Sequence, residues 1–329
     1  MRQASRRAAL LLIAALGLAA GCSSPSATPA DGPEGADGAA GTRTVTHELG
    51  TAEVPAAPQR VVSASVTMTG PLLGLDLPVV ATATSRPGGV ADDNGFFVAW
   101  APRAVDGGTV PLGGPTVDVE AVAAQQPDVI VGSAVGADAV TPEAYAQLSE
   151  IAPTIVVNHS ELSWQELSGR LGTDLGREAE AAAAEQAFAG RATEVGAALG
   201  AAHEAVALTV TPDGYNVFTA DSAQGKLLGE LGLTLRTIDP SGASGLGDSG
   251  TRKDAIPVAL ENAGDFGDAS LFVVNATDEQ VQQYRERQPL LATLPAFAEG
   301  RVYALGPESF RLDRFAADSV LKRLQTAAG

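Results

Sequence analysis

The sequence predicts an α/β fold, built as two three-layer α/β lobes joined by one long helix. Three observations carry that expectation. Short, unalternating β-branched runs alternate with helical patterns from residue 60 to residue 158. A proline-free stretch rich in alanine and glutamate follows, from Ser163 to about Gly200. The α/β pattern then returns and continues to the end of the chain.

In chain order, the first element is an export signal. Arg2, Arg6 and Arg7 precede an apolar run from Ala8 to Ala20, and small residues lead to Cys22, the only cysteine. A basic start, a short apolar core and small residues before the cut describe a signal peptide over residues 1–21 rather than a spanning helix. Leu18-Ala19-Ala20-Gly21-Cys22 resembles a bacterial lipobox, with Ala19 where leucine is commoner. Cleavage there leaves Cys22 to carry a diacylglyceryl anchor, and two or more acyl chains hold a protein firmly on a membrane. Ser5-Arg6-Arg7 also fits the twin-arginine route, so the export pathway stays open. Residues 22–43 are almost entirely Ser, Pro, Ala, Gly, Thr and acid, too poor in apolar surface to fold, and are expected to form a flexible tether.

The N-terminal lobe is expected over residues 44–161. Its strands are Arg60-Val61-Val62-Ser63, Val79-Val80-Ala81-Thr82, Asp128-Val129-Ile130-Val131-Gly132 and Thr154-Ile155-Val156-Val157. Unalternating apolar runs of this length suit strands covered on both faces, as in a mostly parallel sheet. Val119 to Gln126, ending before Pro127, and Pro142 to Ser149 supply helices between them. The interdomain helix is expected over residues 162–202. Run without a break, about 38 residues at 1.5 Å each reach about 55 Å, long enough to connect two bodies. Gly169, Gly172, Gly176, Gly190 and Gly196 weaken it, and an interruption between Gly172 and Gly176 is the expected weak point. The C-terminal lobe, residues 203–329, reads as strands at Val206–Thr211, Asn216–Thr219, Thr234–Ile238, Leu271–Asn275 and Arg301–Leu305. Its helices are expected at Gly225–Leu231, Asp278–Arg287 and Arg314–Leu324. A cleft between the lobes is the default place for a ligand.

Composition excludes several functions. Asp plus Glu is 39 against 21 Lys plus Arg, a formal net charge of −18, which argues against a nucleic-acid partner. An anionic ligand therefore needs a local cluster of the scarce basic residues. The mature body has no cysteine, so its stability comes from apolar cores rather than disulfides. His47, His159 and His203 are the only histidines and have no paired metal-ligand spacing, so no protein metal site is expected. Gly245-Leu246-Gly247-Asp248-Ser249-Gly250 has dinucleotide-fingerprint spacing, but no helical pattern follows it and it reads as a plain loop. No nucleophile elbow appears, and the chain is not expected to be an enzyme.

Three blocks carry a more particular likeness. They are Arg60 to Gly70 continuing through Val90-Ala91-Asp92-Asp93-Asn94-Gly95-Phe96; Ser222-Ala223-Gln224-Gly225; and Tyr303-Ala304-Leu305-Gly306 through Phe310-Arg311-Leu312-Asp313. They resemble the ferric enterobactin-binding proteins of siderophore ABC importers, over about Val54 to Leu324. The resemblance implies a class III periplasmic-binding-protein-like fold with a helical backbone. It also implies capture of a ferric siderophore, of the catecholate type, and delivery to ABC permease subunits. A ferric tris-catecholate is a compact trianion with flat aromatic faces, so its site needs arginine forks and aromatic contacts, with iron held by the chelator and no further cofactor.

The resemblance also names residues. Arg311 falls on a ligand-binding arginine position, the alternative being an ion pair with Asp313. Phe218 stands where the family has tryptophan, and either stacks on catechol or packs in the core. Arg86 is separated from Val90 by Pro87-Gly88-Gly89, whereas the family's arginine adjoins that block, so it is either a cleft contact or a loop charge. Arg252 and Lys253 follow the glycine-serine loop and are candidate rim contacts. For permease docking, Glu120 matches the N-lobe acid and can also act as a helix N-terminal charge. In the C-lobe the family's acid aligns with Gly229, and Glu230 lies one residue along. The expected molecule is a monomer, lipid-anchored on the extracytoplasmic face of the cell membrane. A receptor for a hydroxamate siderophore, haem or a corrinoid remains the alternative within this class, and an exported enzyme or adhesive lipoprotein outside it.

Overall fold

The computed structural model describes residues 41–116, 118–160, 162–200, 203–239 and 254–329. Cys22 and the expected signal peptide and tether up to residue 40 lie outside the described residues, as do the glycine-serine loop, Arg252 and Lys253. The chain enters the first lobe through an antiparallel hairpin of β1 (Thr42–His47) and β2 (Gly50–Pro55), so β1 begins two residues before the expected lobe boundary. Sequence reading missed this hairpin because Val45 and Val54 are its only fully buried apolar side chains, too few to make an apolar run.

The N-lobe sheet contains β3 (Val61–Ser63), β4 (Val79–Thr82), β5 (Val110–Pro111), β6 (Val129–Ser133) and β7 (Thr154–Val157), ordered β5-β4-β3-β6-β7 with every pairing parallel. Around it lie α1 (Val66–Gly74), α2 (Ala101–Asp106), α3 (Val119–Ala124) and α4 (Pro142–Ser149). Val62, Ile130 and Val156 point to one face, under Val122 of α3 and Leu148 of α4. Val61, Val129, Val131, Ile155 and Val157 point to the other, under α1. Burial on both faces explains why these strands read as continuous apolar runs. Asp118 caps α3 by accepting from Glu120 N, and Thr141 caps α4 by accepting from Ala144 N ahead of Pro142.

The connection departs from one continuous helix. It consists of α5 (Trp164–Leu175) and α6 (Glu178–Leu199). Ser163 and Glu166 form a capping box at the start of α5, and Gly176 ends it with φ of 71°. A Cβ on Gly176 would collide with the Ala56 carbonyl, so the break falls where the helix meets the chain leaving β2. Leu167, Leu171 and Leu175 of α5 complete the N-lobe core. The 22-residue α6 makes the crossing: Ala181 belongs to that core, while Ala184, Phe188, Ala192 and Val195 belong to the next. At 1.5 Å per residue it spans about 33 Å.

The C-lobe sheet holds β8 (Ala205–Val210), β9 (Gly214–Phe218), β10 (Ala255–Ala259), β11 (Ser270–Val273) and β12 (Val302–Ala304), ordered β10-β9-β8-β11-β12. β8, β11 and β12 run parallel, whereas β9 is antiparallel to both its neighbours. Its helices are α7 (Ala223–Glu230), α8 (Asp278–Arg287), α9 (Pro289–Ala292), α10 (Pro295–Ala298) and α11 (Arg314–Ala328). α6, α7 and α11 cover one face of the sheet. The 3-10 turn Leu260–Phe266, α9 and α10 cover the other. The strand expected at Thr234–Ile238 is reduced to a single parallel bridge between Leu235 and Ala205. β9 already pairs with Leu208 to Val210, which leaves Ala205 to Ala207 of β8 open on that side, and of these Ala205 alone is bridged to Leu235.

The lobes also meet at the N-terminus of α11. Arg314 Nη1 donates to the Gly74 carbonyl at the end of α1, at 3.0 Å. Asp313 caps α11 by accepting from Ala316 N at 2.9 Å, and its second carboxylate oxygen lies where a Cβ on Gly70 would be. Burial of the Asp313 carboxyl, opposed by its backbone donors, raises its pKa to about 6. The folded state thus holds this proton more tightly than the unfolded chain does. Stability from this group is fully present below the ordinary aspartate range and is lost as pH rises through about 6.

Two outcomes follow for stability. Gly176→Ala is expected to lower unfolding free energy by about 1–2 kcal/mol or more, since alanine must take the left-handed conformation and displace the Ala56 carbonyl. Urea midpoints check this. Asp313→Asn keeps a capping oxygen but removes the buried charge, so at pH 7.5 it is expected to stabilise by up to about 3 kcal/mol. It also flattens the pH dependence between about 4 and 6, and equal stability curves for both proteins would disprove the linkage.

Candidate ligand-binding site

In an open parallel sheet the natural crevice lies at the carboxyl ends of the strands, where the order reverses. In the N-lobe that point falls between β3 and β6, and α1 starts there. Asp138, from the loop after β6, ties the two sides together. It accepts from Ser65 Oγ and, at 3.0 Å, from Thr67 N, and it is 7% exposed. Thr67 and Pro71 of α1 form one wall of a cavity of about 240 Å³. Phe97, His159 and the start of α5 continue that wall, and Phe218, Asp221, Gln224, Lys226, Asp254, Phe310 and Arg311 face it from the C-lobe. A smaller cavity of about 140 Å³ adjoins it and shares Phe97, Phe310 and Arg311.

Arg311 is the central feature. Its guanidinium carbon stands 5.5 Å from the centroid of the Phe97 ring, within cation–π range. It is exposed and forms no ion pair with a described residue. Asp313, the alternative partner, is turned into the seam between α11 and α1. The loop that carries Arg311 is held from behind. Gln224 Nε2 donates to the Ser309 and Phe310 carbonyls at 2.9 Å each, and Ser309 Oγ accepts from Asn275 N and donates to the Gly306 carbonyl. Ser222 caps α7 through Gly225 N, and a Cβ on Gly225 would collide with the Thr219 carbonyl. The Ser222-Ala223-Gln224-Gly225 block thus serves to aim the neighbouring loop.

The remaining residues named from sequence fall into distinct places. Phe218 is both things at once: 3% exposed in the C-lobe core, it also lines the cavity and meets the Phe310 ring edge-on at 6.2 Å. Phe310, at 38% exposure, offers the more accessible ring. Arg86 is exposed on its loop and lines neither cavity. The block after it contributes Phe97 instead. Asp92 accepts from Asn94 N and Phe96 N to fold the turn, Phe96 packs on buried Trp100, and Phe97 is left facing Arg311. Glu120 is exposed in the first turn of α3. Glu230, at the end of α7, accepts from Gln165 Nε2 at 2.7 Å, and partial burial raises its pKa despite that bond. Phe97, Phe310 and His159 are cavity residues that sequence reading did not select. For Phe310 the available signal was its place inside the block that holds Arg311, and for Phe97 its place next to Phe96 at the end of another; for His159 there was none.

Lys226 is not a free cation. Its Nζ lies 3.0 Å from Glu166, whose pKa is lowered to about 2 by the Ser163 backbone N–H and by Lys226. Of the described basic residues lining the cavity, Arg311 is the one left without a carboxylate. Among the described residues no group of three His, Cys, Asp or Glu side chains is placed to hold a metal ion. Nor is any described helix long and apolar enough to cross a membrane.

The family model described as periplasmic binding protein matches residues 61–309. The ferric enterobactin-binding periplasmic protein FepB of Escherichia coli O6:H1 is 39% identical over 295 residues, covering 86% of this chain and 90% of the relative. The crystal structure of holo-ViuP superposes with a TM-score of 0.73 at 31% identity, covering 86% of this chain and 93% of that one. The catecholate-siderophore binding protein VctP of Vibrio cholerae shares the fold, with a TM-score of 0.61 at 18% identity over 87% of this chain and 99% of that one. With two α/β lobes, a cavity between them and these matches over most of its length, the chain belongs to the periplasmic binding protein family.

Proposed function

We propose that this chain is the substrate-binding lipoprotein of an ABC importer, which captures a ferric siderophore of the catecholate type outside the membrane and delivers it to a permease. The observation that carries this reading is the Arg311 guanidinium, without a carboxylate partner among the described residues and placed over Phe97 beside the exposed ring of Phe310. A ferric catecholate combines delocalised anionic oxygens with flat rings, and an arginine flanked by phenyl faces answers both. The 39% identity to a ferric enterobactin-binding protein supports the same ligand class. Iron stays in its chelator, and the protein acts by binding alone, with no reaction of its own.

Cys22 supplies the anchor in this reading, holding a monomeric receptor on the extracytoplasmic face. Glu120 on the N-lobe and Glu230 on the C-lobe are the permease-docking acids. Arg86, Arg252 and Lys253 are rim cations that a trianion would draw on. A less highly charged chelate is the second reading, favoured by Asp221 in the cavity wall and by the pairing of Lys226 with Glu166.

Fluorescence titration with ferric enterobactin, ferrioxamine and haem distinguishes these ligands, with Trp164 in the cavity wall as reporter. Saturable quenching by ferric enterobactin is expected, and Arg311→Ala should weaken it at least tenfold, about 1.4 kcal/mol. Tight binding of another chelate with no response to the catecholate would overturn the ligand assignment. For docking, Glu120→Arg should leave solution affinity unchanged while cutting iron uptake by cells at least about tenfold, because it opposes the permease's cations. Uptake equal to wild type would remove Glu120 from the interface.

A further inference from the structure

His159 follows β7 on the loop leading into α5 and lines the interlobe cavity. Its Nε2 is buried and has no hydrogen-bond partner among the described residues. A buried imidazole nitrogen without a partner forfeits the free energy of a lost hydrogen bond. The charged groups around it are specific. Asp138 approaches from the loop after β6, but its carboxylate already accepts from Ser65 and Thr67. Arg311 approaches from the C-lobe. Elsewhere on the cavity wall stand the Lys226–Glu166 pair, Asp221, Asp254 and Asp313.

We propose that His159 is a ligand-contacting residue of this cavity, whose imidazole takes up a proton from solvent when an oxygen-rich anion is seated against Arg311 and donates from Nε2 to one of that anion's oxygens. The proposal rests on the siderophore reading and deepens it. In the empty cavity, burial and the Arg311 charge both oppose the imidazolium and lower the His159 pKa, outweighing Asp138. A seated anion reverses the Arg311 contribution and adds an attraction of its own, so the pKa rises on binding. One proton is bound per ligand, which offsets part of the ligand's negative charge in a protein of net charge −18. By linkage, affinity increases as pH falls through the interval between the free and loaded pKa values.

The test uses the full chain with ring-labelled histidine and the gallium(III) complex of enterobactin, a diamagnetic stand-in for the ferric ligand. Only three histidines give signals, and His159→Gln assigns the one in question. The His159 pKa is expected to rise by about one unit or more on loading, while His47 and His203 stay put. Gln carries an amide donor in place of Nε2, so His159→Gln should bind within about threefold of wild type at pH 7.5, whereas His159→Leu should lose about tenfold. Between pH 7.5 and 5.5 the wild type should gain about threefold or more over the Gln variant. That comparison removes protonation of the chelator itself, which both proteins experience equally. Ligand binding with an unchanged His159 titration and a Leu variant equal to wild type would overturn the proposal and leave the siderophore reading intact. Failure of the wild-type chain to bind any ferric chelate would overturn both.

Discussion

The joint between α11 and α1 is the constraint on which the rest of the site depends. Asp313 turns its carboxyl onto the α1 backbone at Gly70 and caps α11 with its other oxygen, while Arg314 binds the last carbonyl of α1. A side chain at Gly70 would close that space. Because Arg311 lies two residues before the cap, the joint fixes where the loop leaves the seam, and Gln224 fixes how it is turned. Asp313 also cannot be the partner of Arg311 while it is wedged there. The energetic cost of a buried carboxyl thus has a local consequence: it leaves the Arg311 guanidinium over the Phe97 ring, with no carboxylate partner among the described residues.

That free guanidinium stands out against an acidic protein. With 39 acidic residues against 21 lysines and arginines, diffuse electrostatic attraction of an anion is unfavourable, and recognition has to be local. Lys226 illustrates how readily a cation is neutralised in this chain: it lines the cavity yet spends its charge on Glu166, the residue that also closes the α5 capping box. The Arg311–Phe97 contact avoids the same fate because its partner is a ring rather than a carboxylate. A stacked guanidinium keeps its edge donors available, which a salt-bridged one does not.

Sequence reading reached the layers and the lobes because strands buried on both faces announce themselves, and the runs around Val61, Val129, Ile155 and Leu271 all became strands. It failed where geometry, not apolarity, decides. The β1–β2 hairpin buries only Val45 and Val54 among its apolar side chains, and Leu235 makes one bridge at Ala205, beyond the stretch of β8 that β9 occupies. The helix break at Gly176 could be suspected from the glycine, but the reason, the Ala56 carbonyl more than a hundred residues earlier, is tertiary. The site divides in the same way. Arg311 was named from the block that holds it and Phe218 from its place just before Ser222-Ala223-Gln224-Gly225, whereas Phe97, Phe310 and His159 gained their cavity positions from turns and loops whose direction no periodicity encodes.

The cation–π contact at the centre of the cavity joins one lobe to the other, Phe97 from the first and Arg311 from the second. Two further connections restrict how these lobes can move: the single helix α6, packed into both cores, and the α11–α1 joint. With helices rather than paired loops making the connection, a wide hinge would tear buried apolar contacts on both sides, so rearrangement is confined to small shifts at the cleft. A ligand seated between Phe97 and Arg311 would then act on a contact that spans the two lobes. On the proposed function, Glu120 and Glu230 belong to different lobes, so even a slight change at that contact alters the spacing a permease would read. On that proposal, recognition of the ligand and recognition by the membrane partner would be coupled through one ring and one guanidinium.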